Sequence, residues 1–432
     1  MKRIKGWLWD RNILGSTAFL YVRHCDGVMQ VVVKKKENES LFEQAVSIPF
    51  ESPIIVTGEE IETDRITKRY VNPMHEMKLY SLEVVKRAET LPMRTNLEYS
   101  DELSIEKGIE QRHLAIKHPK YQSIIEVRST ISKGFREYFD ELGYLEVQVP
   151  IITPGISEGG AKLFDLSFFG QKASLTQSWQ TYGECIVSLR DKVYTIGPAF
   201  RAEQSKTKRH LAEFWQGEVE AWLDSFDELL DLEEGVLMHI IEKILNENAK
   251  HLRNLSQDSD RNELRNRLEQ IKSPFERIIY DEVLKRLPSG HSFNRGDDLG
   301  ADEERLLTQN LTSPIFVSRY PWAVKPFYAK KDPQDSSMAL SADLLAPEGY
   351  GEIATGGQRE EDYNGLKQNA IEQGLNPDDP NISWYIDLRK YGSSPTFGFG
   401  MGIDRLTAWI LKLDDIREST LFPRSSRNRI YQ

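Results

Sequence analysis

Cysteine is almost missing from this chain of 432 residues: there are two, Cys25 and Cys185, far apart. Neither sits in a CxxC or Cys/His spacing, so a disulfide framework or zinc site is not expected, and the cytosol is the simplest compartment. No apolar run approaches the ~20 residues that a membrane helix needs. Met1-Lys2-Arg3 leads into an alternating, strand-like segment instead of the apolar core of a signal peptide. No membrane association is therefore expected. Positive charge is in deficit, with 56 Lys and Arg against 67 Asp and Glu, for a net −11. That balance argues against a surface coated in nucleic acid but leaves room for a local basic groove. A Walker A loop is lacking, and so is a strand–GxGxxG–helix unit with a downstream ribose acid. Internal repeats and low-complexity segments are lacking too.

What is present divides along the chain. The length allows two domains, or one large domain with a small appendage. In residues 1–100, "IKGWLWD", "TAFLYVRH", "VMQVVVKK", "SPIIVTGEEI" and "MKLYSLEVVKRA" are short β-branched or alternating runs broken by Gly, Asp, Asn and Pro. Five strands predict a small closed barrel, with the oligonucleotide-binding fold leading and another small β-domain as the alternative. Residues 101–122 are charged and aperiodic, as in a hinge. From Ser123, Ile124, Val127, Ile131, Phe135 and Phe139 mark an amphipathic helix that Gly143 ends. Strands are predicted at "YLEVQVPIIT", "KASLTQS", "VYTIGPAFRAE" and "FWQGEVEAW", and a charged helical insertion with a solvated face over about 225–272. The remainder is expected to alternate strands and loops through "PIFVSRYP" and "WYIDLRKYG", closing on a Gly-rich strand and helix in "FGFGMGIDRLTAWILKL". This order predicts an α+β catalytic domain over 123–432, built on an antiparallel sheet.

Two stretches carry chemistry. In "FRAEQSKTKRHLAEFWQGEVEAW" (200–222), Arg201, Lys206, Lys208, Arg209 and His210 crowd beside Glu203, Glu213 and Glu218. A strand–loop–strand hairpin would put Arg201 and Glu203, two apart, on one side of one arm, and Phe214 on the other arm. Arginine forks grip phosphate oxygens, a carboxylate reads an adenine amine, and an aromatic ring stacks on a base. A solvated charge ladder on an exposed hairpin is the alternative. In "GFGMGIDR", Gly398, Gly400 and Gly402 alternate, clearing one strand face for a flat group, and Arg405 follows at a helix start where anions bind well. Two arginines without a phosphate loop point to an unusual ATP site.

Together "LGYLEVQVP", "FRAEQSKTKRHLAEF" and "GFGMGIDR" resemble, in order, the three signature motifs of class II aminoacyl-tRNA synthetases. The likeness is greatest to the asparaginyl/aspartyl branch, in its compact archaeal asparaginyl form, and spans the chain through "DDLGADEERLLT", "DLLAPEGYGEI", "WYIDLRKYG" and "LFPR". It implies ATP-dependent activation of asparagine and its transfer to tRNA(Asn), a homodimer formed through the motif containing Pro150, and a barrel that reads the anticodon. It also implies roles. Arg201 would bridge the ATP α-phosphate and the amino-acid carboxylate, Glu203 would read the adenine amine, and Phe214 and Arg405 would sandwich the ring. Arg209 and His210 would hold the outer phosphates, with Leu211 and Gly402 lining the nucleotide site. Asp343 and Glu352, helped by Thr355, would hold Mg2+, unless they are merely solvated loop acids. Arg201, Arg405 and Glu352 would be the catalytic set.

For the amino acid, the resemblance assigns Glu158 and Gln180 to the α-amino group and Arg359 to the side chain. Glu184 would favour an amide, whose NH2 its carboxylate can accept from, over a second carboxylate, which it repels, and Gly183 stands where aspartate-specific relatives carry lysine; a structural Glu paired with a neighbouring base is the alternative. Phe19 and Gln30 would stack on and read an anticodon base, or else be barrel core and surface. Departures gather on the amino-acid side. Thr396 and Phe397 replace a family His-containing turn, "TGGQR" brings Thr355, Trp179 and Thr181 alter "QSWQTYGE", and His24 alters the barrel's "LRD". They leave open a paralogue that passes an activated acid to ammonia or a small acceptor, and a non-catalytic RNA-binding regulator.

Overall fold

Alternation in the N-terminal segment closes on itself. Strands β1 (Lys2–Leu14), β2 (Thr17–His24), β3 (Gly27–Lys34), β4 (Pro53–Glu62) and β5 (Val71–Val84) form a closed barrel in the order β1-β2-β3-β5-β4. Strand β1 serves two neighbours, its first half pairing with β4 and its second with β2, and a register shift between Leu8 and Asp10 marks the bend. Leu8, Leu20, Val22, Val31, Val56 and Met77 fill the interior. A helix at Glu39–Ser47, which the strand-only expectation passes over, lies between β3 and β4. Asn38 caps it by accepting from the Leu41 N–H, and Leu41, Phe42 and Ala45 form its buried face.

This computed structural model describes residues 1–66, 68–93, 95, 105–155, 162–205, 207–257, 259–288 and 292–427. The chain divides into two compact units, Met1–Ile125 and Glu126–Ile430. Within 105–122, where a hinge is expected, the described residues form helices at Ile105–Glu110 and Arg112–Ala115. The long amphipathic helix runs Pro119–Glu141, four residues ahead of its expected start, because proline suits a first helical turn.

The second unit has a small sheet and a large one. After β6 (Leu145–Glu146) come β7 (Ile152–Thr153), β8 (Asp165–Phe168) and β9 (Gln171–Leu175), which form a three-stranded sheet in the order β7-β9-β8. Then follow β10 (Lys192–Phe200), β11 (Glu213–Trp222), β12 (Glu276–Ile279), β13 (Ile315–Ser318), β14 (Ser341–Ala346), β15 (Gly351–Gln358) and β16 (Thr396–Gly402). With β6 they make an eight-stranded sheet, β12-β13-β14-β15-β16-β11-β10-β6. Only its outer pairs, β12–β13 and β10–β6, are parallel. The α+β expectation, with an antiparallel sheet and an N-terminal barrel, is met.

Three local expectations need correcting. "YLEVQVPIIT" yields only the two-residue strands β6 and β7 and is otherwise irregular. "WYIDLRKYG" is helical: Asp379 caps a helix at Pro380–Asp387, with Pro380 in its first turn and Ile382, Tyr385 and Ile386 on its buried face. A 3-10 turn, Leu388–Tyr391, continues it. The charged stretch from 225 is helical as expected, but its first helix, Phe226–Glu247, is no solvated appendage. It packs under β15 and β16, and Glu233 is buried on it beside Val236, Leu237 and Ile240.

On the same face, the contact between the Pro119–Glu141 helix and β11 leaves no slack. A β-carbon on Gly217 would fall 2.5 Å from the ring of Phe135, which is wholly buried. Gly217→Ala should therefore cost about 1–3 kcal/mol through overpacking and lower the thermal midpoint followed by circular dichroism. An unchanged midpoint would mean that the ring has room to move.

Candidate active site

Register between β11 and β16 builds the site. Gln216, Glu218 and Glu220 alternate along β11, and each stands opposite a glycine of β16: Gly402, Gly400 and Gly398 in turn. A β-carbon at Gly398 would fall 2.2 Å from the Glu220 carboxylate, so that space belongs to Glu220. At Gly400 and Gly402 the nearest atoms are 3.7 and 3.6 Å from such a carbon, and this part of the strand stays open. Above it lies a cavity of about 420 Å³. Arg201, Glu203, Arg209, His210, Leu211, Phe214, Gln180, Glu352, Thr355, Arg359, Gly402 and Arg405 all line it. Glu184 and Asp343 stand behind the wall, next to Arg359 and Thr355. Glu158 and Lys206 lie outside the described residues.

On one side the cavity is rich in arginine. Strand β10 stops at Phe200, so Arg201 sits just past it, its N–H donating to the Ala212 carbonyl at 2.9 Å. Its guanidinium lies 5.5 Å from the centre of the Phe214 ring, and its Nε is buried without a hydrogen-bond partner. Arg405 donates to the Glu352 carboxylate at 2.8 Å, and Arg209 to Glu304 at 2.6 Å. Burial pushes the Glu352 carboxyl up, but Arg405 and Arg201 outweigh it and hold it below its ordinary value. His210, beside Ser205 and Thr207, is driven down to about 4, first by burial and then by Arg405 and Arg209. It is a neutral imidazole at physiological pH, so the fixed positive charge here comes from arginine.

On the other side charges alternate in a buried chain. Arg359 grips Glu220 with two hydrogen bonds, 2.5 and 3.2 Å, and lies 4.0 Å from Glu184. Glu184 is also hydrogen-bonded by Arg389, by the Tyr385 hydroxyl at 2.7 Å and by Gln180 at 2.9 Å. Of the two readings of Glu184, the one paired with a base describes its geometry. Glu218, on the cavity wall, accepts from the Trp179 N–H at 2.9 Å and from the Ser178 hydroxyl. Glu220, Tyr385 and Arg389 were not anticipated. Tyr385 and Arg389, four apart, meet one carboxylate because their segment is helical.

The departures are absorbed behind the wall. Thr396 supports Arg359 through its backbone carbonyl, which accepts the Arg359 N–H at 2.8 Å, and its hydroxyl bonds Ser394. Trp179 is wedged against Gly183, where a β-carbon would fall 2.2 Å from the indole.

Asp343, Thr355 and Glu352 are the residues that could hold a hard cation. Asp343 and Thr355 are paired across β14–β15, with the threonine hydroxyl donating to the carboxylate at 2.5 Å. A bulge between Leu344 and Leu345 shifts the register, so that Glu352 and Thr355, three apart, line the same cavity. Two carboxylates and a hydroxyl suit the all-oxygen preference of Mg2+. In the barrel, Gln30 is buried and donates to Glu76 at 2.8 Å. Phe19 is half-buried against the Trp9 and Tyr21 cluster.

Comparison with known proteins follows from this geometry. Residues 104–426 match the family model of class II tRNA synthetases (D, K and N). The chain is 40% identical to the asparagine–tRNA ligase of Thermococcus kodakarensis over 99% of its own length and 95% of that protein's. It is 41% identical to the Pyrococcus furiosus ligase, over 98% and 94%. Its fold matches the crystal structure of Pyrococcus horikoshii asparaginyl-tRNA synthetase complexed with asparaginyl-adenylate, with a TM-score of 0.89, 39% identity and coverage of 100% and 96%. The corresponding Entamoeba histolytica complex gives 0.84 at 30% identity, covering 98% and 94%.

The His210 environment has a measurable consequence. Its pKa is lowered from 6.5 to about 4, so on acidification the unfolded chain takes the proton first, and stability drains away between those values. His210→Asn removes that loss. Between pH 7 and pH 5 the thermal midpoint should fall further in the wild type than in His210→Asn; equal falls would refute the buried neutral imidazole.

Proposed function

The chain belongs to the class II tRNA synthetases of the D, K and N group, and we propose from that premise that it is an asparagine–tRNA ligase. It activates asparagine with ATP, releases pyrophosphate and passes the asparaginyl group to tRNA(Asn). The observation that carries this reading is likeness to asparagine ligases along nearly the whole chain, joined to a cavity that gathers Arg201, Glu203, Phe214 and Arg405.

In the first step an asparagine carboxylate oxygen attacks the α-phosphorus in line, a new P–O bond forms, and the bond to pyrophosphate breaks. No protein nucleophile takes part, so positioning and charge neutralisation supply the catalysis. Arg201, which lines the cavity and keeps a buried Nε unpartnered, spans the α-phosphate and the attacking carboxylate. Phe214 and Arg405 enclose the adenine above the open Gly400–Gly402 strand, Glu203 reads its amine, and Arg209 and His210 hold the outer phosphates, with His210 donating as a neutral ring. Glu218, an acid on the wall, holds the α-ammonium together with Gln180. When bound, Mg2+ neutralises polyphosphate charge, and Asp343, Glu352 and Thr355 would hold it. In the second step the terminal ribose hydroxyl of tRNA attacks the acyl carbon and AMP leaves.

Selection for asparagine rests on charge balance. Glu184 and Glu220 face Arg359 and Arg389 in a buried set that holds no spare cation, and burial, only partly offset by Arg359, pushes the Glu220 carboxyl up to about 8. An amide joins this set through hydrogen bonds to Arg359 and adds no charge. An aspartate carboxylate would bring an uncompensated negative charge, and Gly183, closed by Trp179, supplies no cation to meet it. We also read the chain as a cytoplasmic homodimer joined through the segment around Pro150, where Leu145, Ile151 and Ile152 are exposed, with Phe19 and Gln30 of the barrel reading the anticodon.

Pyrophosphate exchange with asparagine and with aspartate, with and without bulk tRNA, followed by attachment to tRNA, tests this. Exchange with asparagine and formation of asparaginyl-tRNA are expected. Exchange without a tRNA product would replace the ligase with a paralogue that serves ammonia or a small acceptor, and no exchange with any acid would leave an RNA-binding protein. Arg405→Leu should lower the exchange rate roughly 10²–10³-fold while the protein remains folded by circular dichroism; near wild-type exchange would remove Arg405 from the catalytic set.

A further inference from the structure

Asp343 has a cation already. The Lys325 ammonium straddles its carboxylate, 3.4 Å from Oδ1 and 3.3 Å from Oδ2. The same ammonium lies 3.7 Å from the centre of the Tyr320 ring, which is fully buried, so a cation–π contact fixes it from the other side. The lysine backbone is anchored as well: its N–H closes the 3-10 turn Trp322–Val324 by donating to Trp322, and its carbonyl accepts from Gln373 at 2.7 Å. Lys325 nevertheless lines the nucleotide cavity, and so does the nearby acid Asp298.

We infer that Lys325 is a resident counter-ion that keeps divalent cations off Asp343 until a polyphosphate draws its ammonium away. A divalent cation on Asp343 would stand within a few ångströms of the ammonium, and like charges at that distance, in a partly buried setting, repel strongly. Metal and lysine therefore exclude one another at this carboxylate. Asp298 and Glu352 also act on the ammonium, but each carries at most one charge, and the phosphates of a bound nucleotide offer several. The consequence is an exchange: the lysine moves to phosphate, the cation moves to Asp343, and the two ligands enter together. Without nucleotide, Asp343 and Glu352 are both already paired, by Lys325 and by Arg405. Their negative charge is thus no standing trap for free cations.

This inference rests on the assignment of Asp343 and Glu352 to the cation, and the test separates the two. Mn2+ binding is followed by electron paramagnetic resonance on the full-length chain without nucleotide. Lys325→Met and Lys325→Gln should each bind Mn2+ at least about tenfold more tightly than the wild type, while Lys325→Arg, which keeps the charge, should bind as weakly as the wild type. The glutamine variant retains a hydrogen-bond donor for Asp343 and serves if the methionine variant does not fold. With a non-hydrolysable ATP analogue the gap between wild type and Lys325→Gln should close. If both neutral variants bind Mn2+ no more tightly than the wild type while Asp343→Asn abolishes nucleotide-dependent binding, the exchange is wrong and the site assignment stands. If Asp343→Asn changes nothing, both fall.

Discussion

The pairing of β11 with β16 is the constraint on which the second unit depends. It sets three polar side chains of one strand opposite three glycines of the other, and everything in the cavity is placed relative to that ladder. The glycines do two different jobs. Gly398 gives its volume to Glu220, which then fixes Arg359; Gly400 and Gly402 leave theirs open to the cavity. A register slip of one residue would turn Gln216, Glu218 and Glu220 to the far face and Gly217 and Val219 toward the cavity. Packing forbids the slip: Gly217 is pressed against Phe135 of the long helix, and Val219 is buried. The core on one face of the sheet thus holds the chemistry on the other in register.

The cavity's two ends use charge differently. At the arginine-rich end, Arg209 and Arg405 are held by Glu304 and Glu352, and Arg201 keeps a buried Nε unpartnered. This arrangement keeps guanidinium groups ordered and leaves capacity for a polyanion. At the other end, Glu220, Arg359, Glu184 and Arg389 are mutually satisfied, so a further charge would be expensive and a neutral hydrogen-bonding group would not. Such a division suits a reaction that joins a highly charged nucleotide to an amino acid told apart by the lack of one charge.

Much of this was legible in the sequence, for physical reasons that differ by region. The barrel strands alternate, the Gly-x-Gly-x-Gly run is rigidly periodic, and the Arg201 hairpin has acids and aromatics at strand spacing; each signal is local. The expectation failed where local preference and tertiary role diverge. "WYIDLRKYG" is β-branched and aromatic, yet Asp379-Pro380 starts a helix and burial of Tyr385 and Ile386 sustains it. Missing that helix hid the meeting of Tyr385 and Arg389 on Glu184. Glu220 was invisible for a related reason: its importance lies in standing across from Gly398, which is a fact about pairing and not about neighbours in sequence. Lys325 likewise meets Asp343 only because β14 is folded alongside its loop. Glu158 falls outside the described residues, so its expectation stands where the sequence left it.

The departures from the family pattern can be weighed by where their atoms go. Thr396 does not enter the cavity; it offers Arg359 a carbonyl, which any residue there could supply, so loss of a histidine side chain leaves the arginine's backbone support in place. Trp179 turns its indole into a core with Val187 and Val193 and shows the site only its backbone N–H, which donates to Glu218. Its bulk is tolerated because residue 183 is glycine, and glycine is enforced there because the bulk is present. These two positions must therefore change together, and a lysine at 183 cannot arise alone. Thr355 replaces nothing the carboxylate needs, since its hydroxyl already donates to Asp343. Thr396 and Trp179 thus alter the support of the amino-acid pocket from behind, and Thr355, which lines the cavity, keeps a hydroxyl on Asp343, so divergence at these positions is compatible with an asparagine-specific site.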